Sequence, residues 1–369
     1  VGKPLNIGIV GAGAISAAYL TTLERLDTLR VTAVADLDPA RARRLADQTR
    51  GDVAVVGSAE ALVARDDVDA VLNLTLPAAH AAVSLAALRA GKHVYGEKPL
   101  AATRDEADAV LAEAARSGLR VGCAPDTVLG TGVQTARRAV DDGLIGTPVA
   151  ATAFMTTAGH ERWHPDPEFY YQPGGGPLLD MGPYYLSALV HLLGPVTRVA
   201  GAASRSRAER VIGSGPRAGT RFPVEVDTHV TGLLHHAGGA VTTLVMSFDV
   251  HDARLPHIEV YGTAGSLSVP DPNGFDGTTA LGRGGGTWEP LPTSAGYHPG
   301  GRGIGLANLA DALDSGRPHL ASAELAAHVL DVMLTLLDAA KEGGTLPVTR
   351  AVERPPAVTD LVATDRHRG

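Results

Sequence analysis

The sequence predicts an α/β protein of two domains. The first is an N-terminal Rossmann domain with a doubly wound parallel sheet, and the second is a C-terminal α+β domain with a large open antiparallel sheet. Three observations carry this reading. Short apolar runs alternate with helix-like stretches through the first third of the chain. A glycine-rich turn joins the first run to the first helix. Beyond Pro125 the pattern changes to strand-like runs joined by Gly-rich turns. Repeated βα units build parallel sheets, whereas runs joined by short turns build antiparallel ones.

Each element follows from local chemistry. The apolar run from Leu5 to Val10 predicts a buried strand, and Ile15, Tyr19, Leu23 and Leu26 then recur at helical spacing. Val31 to Ala35 reads as the next strand. Asp38 and Pro39 supply an N-cap and a first-turn proline for the helix after it. Val68 to Leu76 predicts a strong strand, and the helix that follows stops at Gly91. Thr103 and Glu106 have the spacing of a capping box. In the second part, apolar residues from Pro177 to Leu193 predict a helix. Val196 to Ala203, Val226 to Leu234, Ala240 to Asp249 and Ile258 to Tyr261 predict strands. The Arg- and Gly-rich stretches 204–221 and 273–303 read as loops, and two helices close the chain.

A length of 369 residues fits two domains, placed at 1–125 and 126–369. With 44% hydrophobic and 20% charged residues, the composition is that of a folded globular protein rather than a disordered one. The net charge of −8 argues against nucleic acid as a partner. No apolar run has the length of a membrane span, so no membrane partner is expected. The chain enters a strand almost at once and shows no signal peptide. Its single cysteine, Cys123, allows no intrachain disulfide, which fits a cytoplasmic location. There is no His-Glu-x-x-His and no cysteine pair, so no metal is expected.

Gly11-Ala12-Gly13-Ala14-Ile15-Ser16 lies between the first strand and the first helix. Gly11 permits the tight turn, and Gly13 lets backbone approach a pyrophosphate seated on the helix N-terminus. Ser16 stands where the motif has its third glycine. Asp36 closes the second strand, 20 residues past Ser16. A carboxylate there accepts from ribose hydroxyls and repels a 2′-phosphate. NAD is therefore the expected cofactor, with NADP disfavoured, although Arg41, Arg43 and Arg44 lie close in sequence. Lys98 follows the fifth strand, on the edge where such sheets bind ligands. Further on, Asp180, Tyr184, Ser187 and His191 fall on one helical face. An acid and a phenol one turn apart are proton-handling groups.

These motifs together resemble the Gfo/Idh/MocA oxidoreductases. The likeness rests on the glycine turn, on Thr75-Leu76-Pro77-Ala78-Ala79-His80, on the segment ending Glu97-Lys98-Pro99, and on Gly174-Gly175-Gly176-Pro177-Leu178-Leu179-Asp180-Met181-Gly182. It implies NAD(P)-dependent oxidation or reduction of sugars, cyclitols or related polyols, and assembly as a homodimer or homotetramer. Carried over residue by residue, it makes Lys98 the catalytic lysine and Asp180 the helix aspartate. Tyr184 stands where the family usually has histidine, so the general base is left between Tyr184 and Lys98. The cofactor set it implies is Gly11, Gly13, Ala14, Ile15, Asp36, Thr75, Pro77, His80, Glu97 and Lys98. Substrate contacts are expected from Asp126 and from the aromatic loop with His160, Trp163, His164, Tyr170 and Tyr171. Aromatic rings beside hydrogen-bonding groups suit a sugar ring. Two other readings stand beside the dehydrogenase. One is a redox-neutral glycosidase that oxidises, eliminates and reduces again; the other is a non-catalytic NAD sensor.

Overall fold

The computed structural model describes residues 3–364. The chain forms two compact units. The first comprises the described residues up to Gln134, Ser294–Leu330 and the described residues from Val358 on; the second comprises Thr135–Thr293 and Asp331–Ala357.

The first unit is built on β1 (Leu5–Val10), β2 (Leu29–Ala35), β3 (Ala54–Val56), β4 (Ala70–Asn73), β5 (His93–Gly96) and β6 (Val121–Cys123). All pairs are parallel, in the order β3-β2-β1-β4-β5-β6. The order reverses between β1 and β4, the point at which doubly wound sheets open a ligand crevice. The strands are apolar along their length because both faces are buried; Ile7, Ile9, Val34, Val71, Leu72 and Val94 are fully enclosed. The intervening helices are α1 (Ser16–Leu23), α2 (Pro39–Gln48), α3 (Ala59–Val63), α4 (Pro77–Arg89) and α5 (Arg104–Ser117). The Asp38 side chain accepts from the Ala40 amide at 2.9 Å and caps α2. Thr103 and Glu106 cap α5 reciprocally, each side chain accepting from the other's amide at 3.2 Å. Such a cap contributes about 1 kcal/mol.

The domain division expected at residue 125 needs correction. After α6 (Thr131–Asp141) and the whole second unit, the chain returns to the first with β17 (Gly296–His298), α8 (Ile304–Ser315) and the start of α9 (Ala323–Glu342). It returns again with β19 (Leu361–Ala363), which pairs parallel with β17. Gly122 bridges to Ser322, and the Val358 amide donates to the Gln134 side chain at 2.9 Å. These partners lie far along the chain, so a local change in pattern does not reveal them.

The second unit holds a nine-stranded sheet in the order β16-β15-β14-β13-β7-β12-β11-β8-β18. Its strands are β7 (Pro148–Thr156), β8 (Val196–Ser204), β11 (His229–His236), β12 (Val241–Ser247), β13 (Ile258–Gly262), β14 (Ser266–Val269), β15 (Ala280–Gly282), β16 (Trp288–Pro290) and β18 (Thr345–Pro347). The sheet is mixed rather than wholly antiparallel. β7 and β12 run parallel, because a long crossover rather than a hairpin separates them. The stretch 204–221, expected as loop, contributes β9 (Glu209–Val211), which pairs with β10 (Arg221–Pro223) in a ribbon of its own. Burial alternates along β11, so one face is covered and the other is more open. On the covered face, Leu336 of α9 lies where a side chain on Gly201 or Gly232 would stand, 2.6 and 2.7 Å from their added Cβ positions. Those two glycines admit the helix. The helix α7 (Pro177–Leu193) is buried over most of its circumference.

Candidate active site

In the first unit, the carboxyl ends of β1, β2, β4 and β5 gather the expected cofactor residues. Gly11 has φ +101°, and a Cβ there would lie 2.5 Å from the Leu74 carbonyl oxygen. Only glycine fits this crossing of backbones. Gly13 differs, because an added Cβ would meet nothing within 4 Å. Its small size is not demanded by the protein's own packing, which matches a place where a pyrophosphate approaches backbone. Ala14 is exposed, and Ile15 is half-buried ahead of α1. Ser16 satisfies its hydroxyl by donating to the Gly13 carbonyl at 2.7 Å, so the departure from glycine is accommodated locally.

The Asp36 carboxylate is fixed by two amides, Ala12 at 2.7 Å and Asp38 at 2.8 Å. Sequence reading overlooked two neighbours. Leu37 is fully exposed and Leu76 is 77% exposed, an unusual display of apolar surface on this edge. It also overlooked Asn73, which is fully buried. Its amide donates to the His80 carbonyl and the Ser84 hydroxyl, and its carbonyl accepts from the Thr75 amide and hydroxyl. Asn73 thereby shapes the turn that carries Thr75 and exposed Pro77.

His80 and Glu97 face inward. The His80 ring is buried, with Nδ1 2.6 Å from the Pro99 carbonyl and Nε2 3.0 Å from that of Thr75. It ties the turn after β4 to the turn after β5 and presents no open edge to a ligand. The Glu97 carboxylate accepts from the buried Tyr19 hydroxyl at 2.8 Å and from the Lys98 amide at 3.0 Å. Burial and the adjacent Glu97 charge push the Tyr19 phenol well above its ordinary range, so it stays a donor. Glu97 and His80 therefore hold Lys98, half-buried at the end of β5, from two sides of its turn.

Asp126 is corrected as a substrate contact. It is wholly buried, and one oxygen accepts from the amides of Gly303 at 2.7 Å and Gly305 at 3.1 Å. It serves as the anchor for the head of α8. Burial raises its carboxyl to about 6, against the pull of those amides.

In the second unit, the aromatic loop folds over the start of α7. His160 Nε2 lies 3.0 Å from Asp180 Oδ2, with the two side chains 12% and 17% exposed. The His160 ring meets the rings of Trp163, Tyr170 and Phe248 at centroid distances of 5.2, 4.7 and 4.5 Å. Trp163 and Phe169 are exposed, and Phe169 lies against Tyr170 at 4.0 Å. Phe248 was missed because it arrives from the end of β12, far along the chain. Tyr184 is buried one turn after Asp180. Tyr171 is also corrected as a substrate contact. It is fully enclosed, donates its hydroxyl to Glu161 and accepts from the His160 amide at 3.2 Å. Glu161 in turn pairs at 2.7 Å with Arg210, a buried side chain from β9 that also holds Asp249 and the Phe248 carbonyl. His191, on the predicted polar face of α7, lies at the far end. Burial and then the charges of Arg137 and Arg354 lower it to about 3. Among the described residues, no cluster of three or more His, Cys, Asp or Glu is placed to hold a metal, and no helix is long and apolar enough to cross a membrane.

Comparison with known proteins gives the family. Residues 5–124 match the family model for the GFO/IDH/MocA oxidoreductases, NAD-binding Rossmann fold, and residues 133–268 match the model for a GFO/IDH/MocA C-terminal domain. The chain is 35% identical over 270 residues to a dTDP-3,4-didehydro-2,6-dideoxy-alpha-D-glucose 3-reductase of Streptomyces antibioticus, covering 72% of this chain and 75% of that one. It is 35% identical over 147 residues to an inositol 2-dehydrogenase/D-chiro-inositol 3-dehydrogenase of Shouchella clausii, covering 39% of this chain and 42% of the other. The crystal structure of an NAD-binding oxidoreductase from Klebsiella pneumoniae superposes with a TM-score of 0.80 at 24% identity, over 94% of this chain and 99% of that one, which shows a shared fold.

Proposed function

The chain belongs to the Gfo/Idh/MocA oxidoreductase family, and from that premise we propose that it is an NAD-dependent dehydrogenase or reductase acting at one hydroxyl-bearing ring carbon of a sugar or cyclitol. The observation that carries this reading is Lys98. It sits at the carboxyl end of β5, in a turn held by His80 and Glu97, on the same edge as the glycine turn and Asp36. The named relatives are a reductase of a dTDP-linked didehydro-dideoxy sugar and a dehydrogenase of inositol, both acting at an oxygen-bearing ring carbon.

Bound NAD supplies the two-electron chemistry. Asp36 receives the ribose hydroxyls and disfavours a 2′-phosphate, and exposed Leu37 and Leu76 offer apolar cover to the adenine. Lys98 exchanges the hydroxyl proton and its positive charge steadies the oxygen as negative charge develops there. In the second unit, Asp180 and Tyr184 are the proton-handling groups, and Trp163, His164 and Tyr170 suit the face of a sugar ring. The more open face of the nine-stranded sheet, with Val149 and Leu233 about half exposed, takes a second copy of the chain. Cytoplasmic residence is proposed from the single, buried Cys123.

A panel of monosaccharides, inositols and nucleotide-linked sugars with NAD, read by nicotinamide absorbance, tests the activity. Lys98→Ala is expected to lower kcat by about 100-fold or more while NAD still binds. Near-normal turnover in that variant overturns the role given to Lys98. Light scattering in solution tests the assembly, and a monodisperse monomer overturns it.

A further inference from the structure

We propose that His160, carried by the aromatic loop, is the positioning residue of Asp180. The inference rests on the reading of Asp180 as a proton-transfer carboxylate. His160 Nε2 is 3.0 Å from Asp180 Oδ2, and both side chains are largely withdrawn from water. An ionised carboxylate accepts only, so the ring nitrogen facing it carries the hydrogen. His160 Nδ1 is buried with no hydrogen-bond partner. No second contact therefore competes for the tautomer, and Asp180 alone selects the Nε2–H form. A buried nitrogen without a partner is destabilising, so packing in the aromatic cluster alone does not account for a histidine at this position.

The ring is also held from behind. Its backbone amide donates to the Tyr171 hydroxyl, that hydroxyl donates to Glu161, and Glu161 is paired with buried Arg210. The guanidinium lies 5.0 Å from the Tyr171 ring centre. Trp163, Tyr170 and Phe248 fix the tilt of the imidazole by edge and tilted contacts. With Oδ2 engaged by His160, the carboxylate plane is set, and His160 keeps its own N–H while Asp180 serves proton transfer.

The test has two arms on the full chain. With histidine nitrogens labelled, the imidazole of His160 is assigned by the signal lost in His160→Gln. It is expected to show the Nε2–H tautomer in the wild type and to lose that preference in Asp180→Ala. An unchanged signal in Asp180→Ala overturns the pairing. In the kinetic arm, with a polyol turned over in the panel above, His160→Leu is expected to lower kcat about tenfold or more with KM changed less than about threefold. His160→Gln, which restores an N–H donor, is expected to recover most of the loss. A change confined to KM, or an equal loss in both variants, overturns the proposal. If the wild type turns over no member of the panel, the functional reading fails, and the tautomer arm alone decides the role of His160.

Discussion

The Asp36 carboxylate accepts the Ala12 amide at 2.7 Å, so the acid proposed to receive the ribose also braces the glycine turn. One residue thereby couples the two halves of the dinucleotide grip. Asp36→Ala is expected to weaken NAD by about 10- to 100-fold, the range for a lost hydrogen bond to a charged group. It should also narrow the gap between NAD and NADP. Calorimetric titration of both cofactors checks this, and an unchanged preference for NAD removes Asp36 from the selectivity argument.

Gly11 and Gly13 separate folding from binding. Gly11→Ala places a methyl group against the Leu74 carbonyl at a positive φ, so thermal stability should fall by at least about 2 kcal/mol along with NAD affinity. Gly13→Ala adds a methyl group where the protein has nothing within 4 Å, so the melting temperature should stay while affinity drops. Equal loss of stability in both variants contradicts this division.

Arg210 is expected to hold the aromatic loop rather than to touch a substrate. Its guanidinium is almost fully buried between Glu161 and Asp249. Arg210→Met leaves buried Glu161 and half-buried Asp249 without their cation, which should cost about 3–5 kcal/mol in denaturant unfolding. A loss below about 1 kcal/mol would show the triad to be more solvated than its burial indicates.

Two buried groups give opposite acid responses. Burial raises Asp126 from 3.8 to about 6, so folding favours its neutral form. Relative to Asp126→Asn, the wild type should gain stability as pH falls through 6, with the gain complete below 3.8. His191 moves the other way. Burial, then Arg137 and Arg354, lower it from 6.5 to about 3. Relative to His191→Met, the wild type should hold its stability above 6.5 and lose it as pH falls toward 3. Urea midpoints across pH 3–8 for both pairs read the signs directly.

The first unit was legible because its signals are local. The glycine turn, the Asp38 cap and the Thr103–Glu106 box each lie within a few residues and appear as expected. What sequence reading missed is non-local or hinges on burial. A polar residue does not announce whether it faces inward, so Asp126 and Tyr171 looked like contacts when they are fully enclosed. The pairing of His160 with Asp180 spans 20 residues and depends on how a loop folds back. β9 and β10 have three residues each, too few for a periodic pattern, and Arg210 gains its meaning only from partners 49 and 39 positions away.

The return of the chain to the first unit has a consequence for the order in which the protein is made. β17 needs β19, and the Gln134 side chain waits for the Val358 amide. A nascent chain leaving the ribosome can pair β1 to β6 early, yet Asp126 has no amides to meet until Gly303 and Gly305 emerge. The element translated first is thus among the last to close. A recombinant fragment cut at residue 125 would carry the sheet without its seal.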